Sequence, residues 1–332
     1  TGNFTHLISF RNSSSKGYTE NTDYQISDVF YNGTFSMEKN NTSFQIGYSD
    51  KGFGANNFYS AKYPEQYETT QTLFSSISFK TNLDHLQIEP KAYFRRNNDQ
   101  FFLFRQYPDK YSNYHTTDVW GTNLLVSYFL GTSGITSIGF DTRTETIWSN
   151  TLGDLTQNPI KSPINDSITL NYFHSRTNFS TFIGHKRYFS NLTINVGINL
   201  TRNSDLNFKW FIYPGIDLSY QLTKSSSIFA SVNKTMRMPT YTDLYYKGPV
   251  NEGNPNLLPE EAVGYELGLQ NKSDFMKFSL TCFYSQGKNM IDWVKVNLED
   301  QWKTINHTTL NTAGVEISVN NDFEKIFPDQ AY

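Results

Sequence analysis

The run Asn191-Leu192-Thr193-Ile194-Asn195-Val196-Gly197-Ile198-Asn199-Leu200-Thr201 decides the fold class. Every second residue is Leu, Ile or Val, and the residues between them are Asn, Thr or Gly. Successive side chains of a β-strand point to opposite faces, so this run builds a strand with one apolar and one polar side. The neighbouring runs repeat the pattern. Phe208, Trp210, Ile212, Ile216, Leu218, Tyr220 and Leu222 oppose Lys209, Asp217, Ser219 and Gln221. Val263, Tyr265, Leu267 and Leu269 oppose Gly264, Glu266, Gly268 and Gln270, and Val315, Ile317 and Val319 oppose Glu316, Ser318 and Asn320.

Worked outward, the period predicts strands near 3–10, 22–37, 42–49, 67–81, 84–96, 115–130, 134–148, 172–188, 191–202, 207–222, 226–238, 262–271, 275–287 and 310–320. No stretch reads as a long helix or as a linker, so residues 1–332 read as a single all-β, antiparallel domain. The connections fall into two sets. Short ones occur at 38–41, 81–84, 131–134, 188–191, 223–226 and 271–274. Most of the others are long, at 11–21, 49–66, 97–114, 149–171, 239–261 and 288–309, with 203–206 the exception. Tight turns at one end and long loops at the other are the asymmetry of outer-membrane barrels. Many predicted strands reach the length of about 9–11 residues that crosses a bilayer at a tilt. Aromatics near strand ends, such as Tyr128, Phe129, Tyr188, Phe189, Phe208 and Trp210, suit interfacial girdles. A soluble sandwich or propeller shares the alternation, although no blade-length repeat is present. A passive porin of 14–16 strands also stays open on periodicity alone, as does a soluble carbohydrate-binding β protein.

Composition agrees with a transmembrane barrel. Hydrophobic residues make up 37% of the 332 residues while aromatics alone make up 16%, so the aliphatic share is too thin for a large soluble core. The aromatic load argues against disorder. No run approaches the roughly 20 apolar residues of a membrane helix. A single cysteine, Cys282, excludes an intrachain disulfide framework and a cysteine-based zinc site. A net charge of −3 gives no electrostatic reason to bind nucleic acid. The sequence offers no enzyme constellation: no H-E-x-x-H, G-x-S-x-G, Walker loop, dinucleotide fingerprint or EF-hand. The six histidines lack metal-ligand spacing, and no cofactor is implied.

The most specific stretch is Arg237-Met238-Pro239-Thr240-Tyr241-Thr242-Asp243-Leu244-Tyr245-Tyr246. It is followed by Gly253-Asn254-Pro255-Asn256-Leu257-Leu258-Pro259-Glu260 and then Tyr265-Glu266-Leu267-Gly268. This order resembles the signature in the C-terminal half of TonB-dependent outer-membrane receptors. There, R-x-P-[TF]-x-x-[DE]-L-Y leaves an ascending strand, and G-N-P-x-L-x-P-E leads into a descending strand with Y-E-x-G. A second stretch, Gly52-Phe53-Gly54-Ala55-Asn56-Asn57-Phe58-Tyr59-Ser60 with Tyr63-Pro64-Glu65-Gln66-Tyr67-Glu68, is similar to a loop in the group that includes vitamin B12 receptor-like members. Asn289-Met290-Ile291-Asp292-Trp293-Val294 and Asn311-Thr312-Ala313-Gly314-Val315-Glu316 also resemble barrel segments of the family.

The resemblance implies a barrel of about 22 strands with a plugged lumen. On that expectation the chain is an internal fragment, with about fourteen barrel strands and neither the N-terminal plug nor the last strands. The family implies an outer membrane of a Gram-negative bacterium and no enzymatic activity. Its implied partners are the outer-membrane lipid, the TonB complex acting through the plug, a transported small molecule and, in some relatives, a surface lipoprotein. The first expectation for the cargo is cobalamin or another corrinoid. A ferric siderophore or other metal chelate is the second.

Residue chemistry narrows the candidate site to the long-loop end. Loop 49–66 offers Phe53, Asn56, Asn57, Phe58, Tyr59 and Tyr63, and loop 97–114 offers Tyr107, Tyr111 and Tyr114. Loop 239–261 offers Tyr241, Asp243, Tyr245, Tyr246, Asn254 and Asn256. Tyrosine gives rigid contact area and asparagine adaptable hydrogen bonding, a pairing suited to a large, polar-edged ligand. Within the motif, Pro239 removes a ladder donor where the strand ends, and Gly253 and Asn254 tolerate tight or left-handed backbone. Pro255 and Pro259 stiffen the loop. Arg237 and Glu266 are expected to face the interior, free to pair with each other, with a plug or with ligand, and Glu260 closes the motif. These motif roles are read mainly as structural.

Overall fold

The computed structural model describes residues 3–58, 62–248, 251–295, 297, 301–307 and 309–322. Its strands are β1 (Phe4–Ser15), β2 (Tyr24–Ser36), β3 (Asn40–Gly54), β4 (Tyr67–Leu83), β5 (Leu86–Phe102), β6 (Ser112–Phe129), β7 (Gly134–Ser149), β8 (Asp154–Ser162) and β9 (Asn165–Tyr188). They continue as β10 (Leu192–Asn203), β11 (Phe211–Gln221), β12 (Ser226–Arg237), β13 (Asn251–Glu252), β14 (Glu260–Lys272), β15 (Met276–Lys288), β16 (Ile291–Val294), β17 (Trp302–Asn306) and β18 (Thr309–Asn321). A single short helix, α1 (Tyr241–Tyr245), lies between β12 and β13.

The main sheet is an antiparallel meander. It runs β1-β2-β3-β4-β5-β6-β7-β9-β10-β11-β12-β14-β15-β18, and β8 pairs only with β9. The fourteen strands of this path are those the alternation predicts. The additions all fall in segments read as loops: β8, the α1 helix, and a separate sheet ordered β13-β17-β16. Several boundaries move: β1, β3 and β5 run on to Ser15, Gly54 and Phe102, past their predicted ends at 10, 49 and 96, so Phe53 lies in a strand and not in a loop. β9 begins at Asn165, seven residues before its predicted start at 172, because β8 folds back on it. β11 begins at Phe211, not at 207, because Asn207 and Phe208 take φ values of 52° and 53°, which no strand accommodates.

At the tight end each hairpin closes on itself. Met37 donates its N–H to the Asn40 carbonyl at 2.7 Å, Leu130 to Gly134 at 2.9 Å, and Phe189 to Leu192 at 2.8 Å. The ladder keeps the two faces apart from strand to strand. Val196 sits opposite Ile216, and Ile216 opposite Val232, on the apolar side. Asn195 sits opposite Asp217, and Asp217 opposite Ser231, on the polar side, where Asn195 and Asn233 both donate to Asp217. Cys282 faces the apolar side between Leu267 and Val315. Several polar-face phenylalanines lie across a glycine of the next strand, as Phe74 does over Gly47 and Phe182 over Gly139, leaving no room there for a Cβ.

The wall has no core of its own. Ala55, Tyr114, Ile147, Leu152, Leu170, Leu244 and Leu257 are buried, and all lie at the long-loop end. Mid-strand apolar residues such as Val196, Ile198, Ile216, Leu218, Leu267 and Ile317 stay exposed. A continuous apolar face this wide is far larger than a water-facing monomer tolerates and fits contact with lipid.

Candidate functional site

The long-loop end is built as two clusters. The first hangs from the end of β12. After Arg237 the chain leaves the sheet and reaches the polar faces of β9 and β7, where Tyr245, and Asp205 of the β10–β11 connection, both meet His174. Thr240 caps α1: its hydroxyl accepts the Asp243 N–H at 3.1 Å, while the Asp243 carboxylate accepts the Thr240 N–H at 2.9 Å. Reciprocal capping of this kind fixes the entry angle of a helix.

Arg176 of β9 is the anchor. It forms an ion pair with Glu145 of β7 at 2.7 Å and donates to the carbonyl of the fully buried Pro239 at 2.7 Å. The Tyr241 ring lies 4.6 Å from its guanidinium carbon, and the Tyr241 hydroxyl donates to the Glu145 carbonyl at 3.0 Å. Burial pushes the Tyr241 phenol well above its ordinary pKa, so it stays neutral. Next to it, His174 meets Asp205 at 3.2 Å, Asp154 at 3.4 Å and the Tyr245 hydroxyl at 3.1 Å. Burial works against a charged imidazole, yet Asp205 and then Asp154 outweigh it and hold His174 above its ordinary pKa. Burial first, then Asp154, pushes the Tyr245 phenol up to about 12.

The rest of the motif ties this segment to the following loops. Glu260 pairs with Arg237 and accepts the Ile291 N–H at 2.7 Å, and its carboxyl is held below the usual range by Arg237. Glu266, one of the partners left open for Arg237, is six residues further down β14, opposite Ser231 and Phe283. The register places Glu260, not Glu266, across from Arg237. Gly253 takes no left-handed backbone; a Cβ there would come within 2.8–2.9 Å of the α1 backbone, so close packing is what requires glycine. Asn254 also has ordinary φ; its backbone N–H donates to the Asp243 carbonyl at 2.9 Å, and its side chain accepts the Asn256 N–H at 3.0 Å. Pro255 is exposed and Pro259 buried. The hydroxyl of the fully buried Thr304 also donates to the Asp243 carbonyl, at 2.7 Å. Tyr246 meets the Tyr111 hydroxyl at 3.0 Å, with the Trp293 ring edge-on at 6.3 Å.

The second cluster joins loop 49–66 to the loops before β2 and after β5. The Asn21 amide donates to the Pro64 and Gln66 carbonyls at 2.9 and 2.7 Å, and the Asn56 amide to Glu20 at 2.7 Å. Arg105 grips Asp23 through two bonds of 2.6 and 2.9 Å and lies 4.1 Å from the Tyr67 ring centre. Arg105 holds the Asp23 carboxyl below its usual range. Tyr63 packs edge-on against Phe104 at 5.6 Å. Phe53 pairs within the ladder between Tyr24 and Glu68. Asn57 turns the loop at φ 59° and Phe58 projects outward, 75% exposed. Tyr59 lies outside the described residues.

Between the clusters, Asp99 on β5 and His115 on β6 face each other across the ladder on the polar side. Their strand neighbours Asn98 and Gln100 face outward, so this level lies above the apolar belt. Burial and the nearby Glu68 push Asp99 up to about 7, and burial pulls His115 down to about 4. Neither group carries a full charge near neutral pH.

The structure therefore joins Tyr111, Tyr241, Asp243, Tyr245, Tyr246, Asn254 and Asn256 in one layer, and sets Phe53, Asn56, Asn57, Phe58 and Tyr63 in another. Sequence reading misses Glu145, Arg176, His174 and Asp205. Only alternation signals them, by putting Glu145, His174 and Arg176 on polar-face positions. Among the described residues no cluster of His, Cys, Asp and Glu has the arrangement of a metal site.

Comparison with known proteins agrees with this architecture. The family model described as TonB-dependent receptor-like β-barrel matches residues 8–331. That match sets aside the porin and soluble-lectin readings. A vitamin B12 transporter BtuB of Photobacterium profundum is 26% identical over 117 residues, 34% of this chain and 19% of the relative. A vitamin B12 transporter BtuB of Vibrio vulnificus is 30% identical over 88 residues, 26% of this chain and 14% of the relative. Among solved structures, the FrpB iron transporter of Neisseria meningitidis superposes with a TM-score of 0.74 at 13% identity, over 97% of this chain and 57% of that one. The ferric enterobactin receptor PfeA of Pseudomonas aeruginosa gives 0.72 at 14% identity, over 96% and 55%. The chain thus spans little more than half of these solved proteins, and its matches to the curated relatives cover under a fifth of their length.

Proposed function

The chain belongs to the TonB-dependent receptor β-barrel family, and on that premise we propose that it is barrel wall and loop layer of an outer-membrane importer for a large, scarce nutrient. In this reading the protein sits in the outer membrane of a Gram-negative bacterium. Ligand binds at the long-loop end, and the TonB complex drives uptake through a plug belonging to the whole protein. The protein's work is recognition and gating without a covalent step. The observation that carries the proposal is the layer on α1, β13, β16 and β17, folded onto the polar side and presenting tyrosine, tryptophan and asparagine.

The preferred cargo is a corrinoid. The two arginines of the layer are paired, Arg176 with Glu145 and Arg237 with Glu260, and Lys303 with Glu252, while Lys247 stays exposed. Beside them the layer presents mainly aromatic surface and amide hydrogen bonding, which suits a ligand rimmed with neutral amides better than an anionic chelate. The two vitamin B12 transporters that match the chain support the same cargo. The ferric siderophore is the second reading, supported by the names of the solved relatives. Calorimetric titration of the full-length protein with cyanocobalamin, a ferric catecholate and a ferric hydroxamate separates them. Cyanocobalamin is expected to bind, and absence of binding at micromolar concentration rejects the corrinoid. Binding of a ferric chelate alone transfers the assignment to the second reading.

A further inference from the structure

The apolar stripe of β10, from Leu192 to Leu200, ends on a cation. Arg202 is the next residue on that face, opposite Phe179 of β9. Eight residues of strand span about 26 Å, or roughly 20 Å of height at the usual barrel tilt, close to the full apolar band of an outer-membrane barrel. Arg202 therefore stands where hydrocarbon gives way to headgroups, at the long-loop end.

Three rings frame it. Its guanidinium carbon lies 4.9 Å from the ring centre of Trp210, 5.2 Å from Phe179 and 5.5 Å from Phe208. Phe179 and Trp210 are themselves edge-to-face at 5.9 Å. The chain adopts an unfavourable backbone to build this frame. Asn207 and Phe208 are consecutive left-handed residues, held by Phe208 N–H to the Asn203 carbonyl at 3.0 Å and Lys209 N–H to Leu206 at 3.0 Å. A bulky residue at positive φ persists only where its surroundings over-determine it.

Among the described residues the cation has no counter-charge. Two other outward cations near the long-loop ends are paired, Arg96 with Asp118 at 2.6 Å and Lys234 with Glu261 at 3.0 Å. Arg202 has no carboxylate partner among the described residues, and its buried Nε has no hydrogen-bond partner there. Lys209, exposed between Phe208 and Trp210 in sequence, adds a second positive charge.

We propose that Arg202, with Phe179, Phe208 and Trp210, is a binding site for the phosphate of a lipid headgroup in the outer leaflet. The phosphate completes the guanidinium's hydrogen bonding, and the acyl chains lie along the stripe below it. The inference rests on the membrane placement proposed above. That placement is tested separately, by whether the protein inserts as a heat-modifiable barrel.

The test is lipid titration of the full-length protein by native mass spectrometry. Wild type is expected to prefer monophosphoryl lipid A over phosphatidylcholine by about fivefold, the value of one interfacial basic residue. Arg202→Gln should abolish that preference and Arg202→Lys should keep part of it. Millimolar inorganic phosphate should not displace the lipid. Full preference in Arg202→Gln overturns the proposal, and displacement by inorganic phosphate reassigns the site to a free anion, which also overturns it. If Arg202→Gln does not assemble, Trp210→Leu keeps the charge and opens the cage. It should weaken lipid A retention by about two- to threefold, and unchanged retention rejects the site.

Discussion

The two loop clusters use the same residue types for different ends. In the layer after β12, tyrosines are drawn onto the sheet's polar face and fixed on a nearly buried ion pair of the wall, with Arg176 and Glu145 side chains only 10% and 15% exposed. In the loop 49–66 cluster the fixing groups are asparagine amides on backbone carbonyls and an Arg105–Asp23 pair about one-third exposed. A buried charge cannot be left alone without a large penalty, whereas an exposed pair is partly screened. The first cluster is thus a rigid platform. The second is a tethered loop whose tip, Phe58, remains exposed.

Four changes test that contrast, in order of expected size. Arg176→Ala removes the donor to the Pro239 carbonyl and leaves Glu145 paired only with the more exposed Arg143, at 2.8 Å. It should cost the layer about 3 kcal/mol, read as lost hydrogen-exchange protection over 237–246 with residues 54–58 unaffected. Glu260→Gln keeps an acceptor for the Ile291 N–H and removes only the charge facing Arg237. It should cost about 1–3 kcal/mol and release 288–294 before α1. Arg105→Ala should cost about 1 kcal/mol or less, with exchange rising over 54–58 and 64–66 only. Equal effects of Arg105→Ala and Arg176→Ala on the two regions would erase the distinction drawn between them.

The smallest effect is electrostatic. His174 is raised above its ordinary pKa by Asp205 and Asp154, against burial. The groups facing it are Asp154, Asp205, Tyr241 and Tyr245. A raised histidine contributes stability that is fully present below its unfolded pKa and is lost as pH rises through the folded one. Exchange protection at Tyr245 should therefore rise as pH falls from about 8 to about 5.5, the range over which histidine charges. His174→Gln should remove that dependence, and an unchanged pH profile in the variant would detach the effect from His174.

Legibility in the sequence divides along the same line. The fourteen wall strands follow from alternation, because a period of two is written into adjacent residues and each face has its own solvent. The motif from Arg237 to Glu260 is visible as an ordered set of residues, yet its roles were only half legible. Asp243 reads as a ligand candidate from its loop position, and the structure engages its carboxylate in capping Thr240. Gly253 reads as a residue for unusual φ and proves to be one for close packing against α1. The loop strands β8, β13, β16 and β17 are short or pair irregularly, so no period announces them; β8 shifts register between Leu155 and Ile160.

By itself the sequence determined which face of each strand is apolar and which polar, how the strands follow one another, and which end carries the long loops. All of these follow from local alternation and loop length. Tertiary structure alone decided what the long-loop residues do. Arg176 reaches the Pro239 carbonyl across 63 residues and Tyr241 reaches the Glu145 carbonyl across 96, contacts set by where α1 crosses the sheet. No local period encodes such a crossing. It exists because a buried Arg176 needs both a carboxylate and a carbonyl to be satisfied there, and because Asp205 of the β10–β11 connection and Tyr245 of α1 share His174.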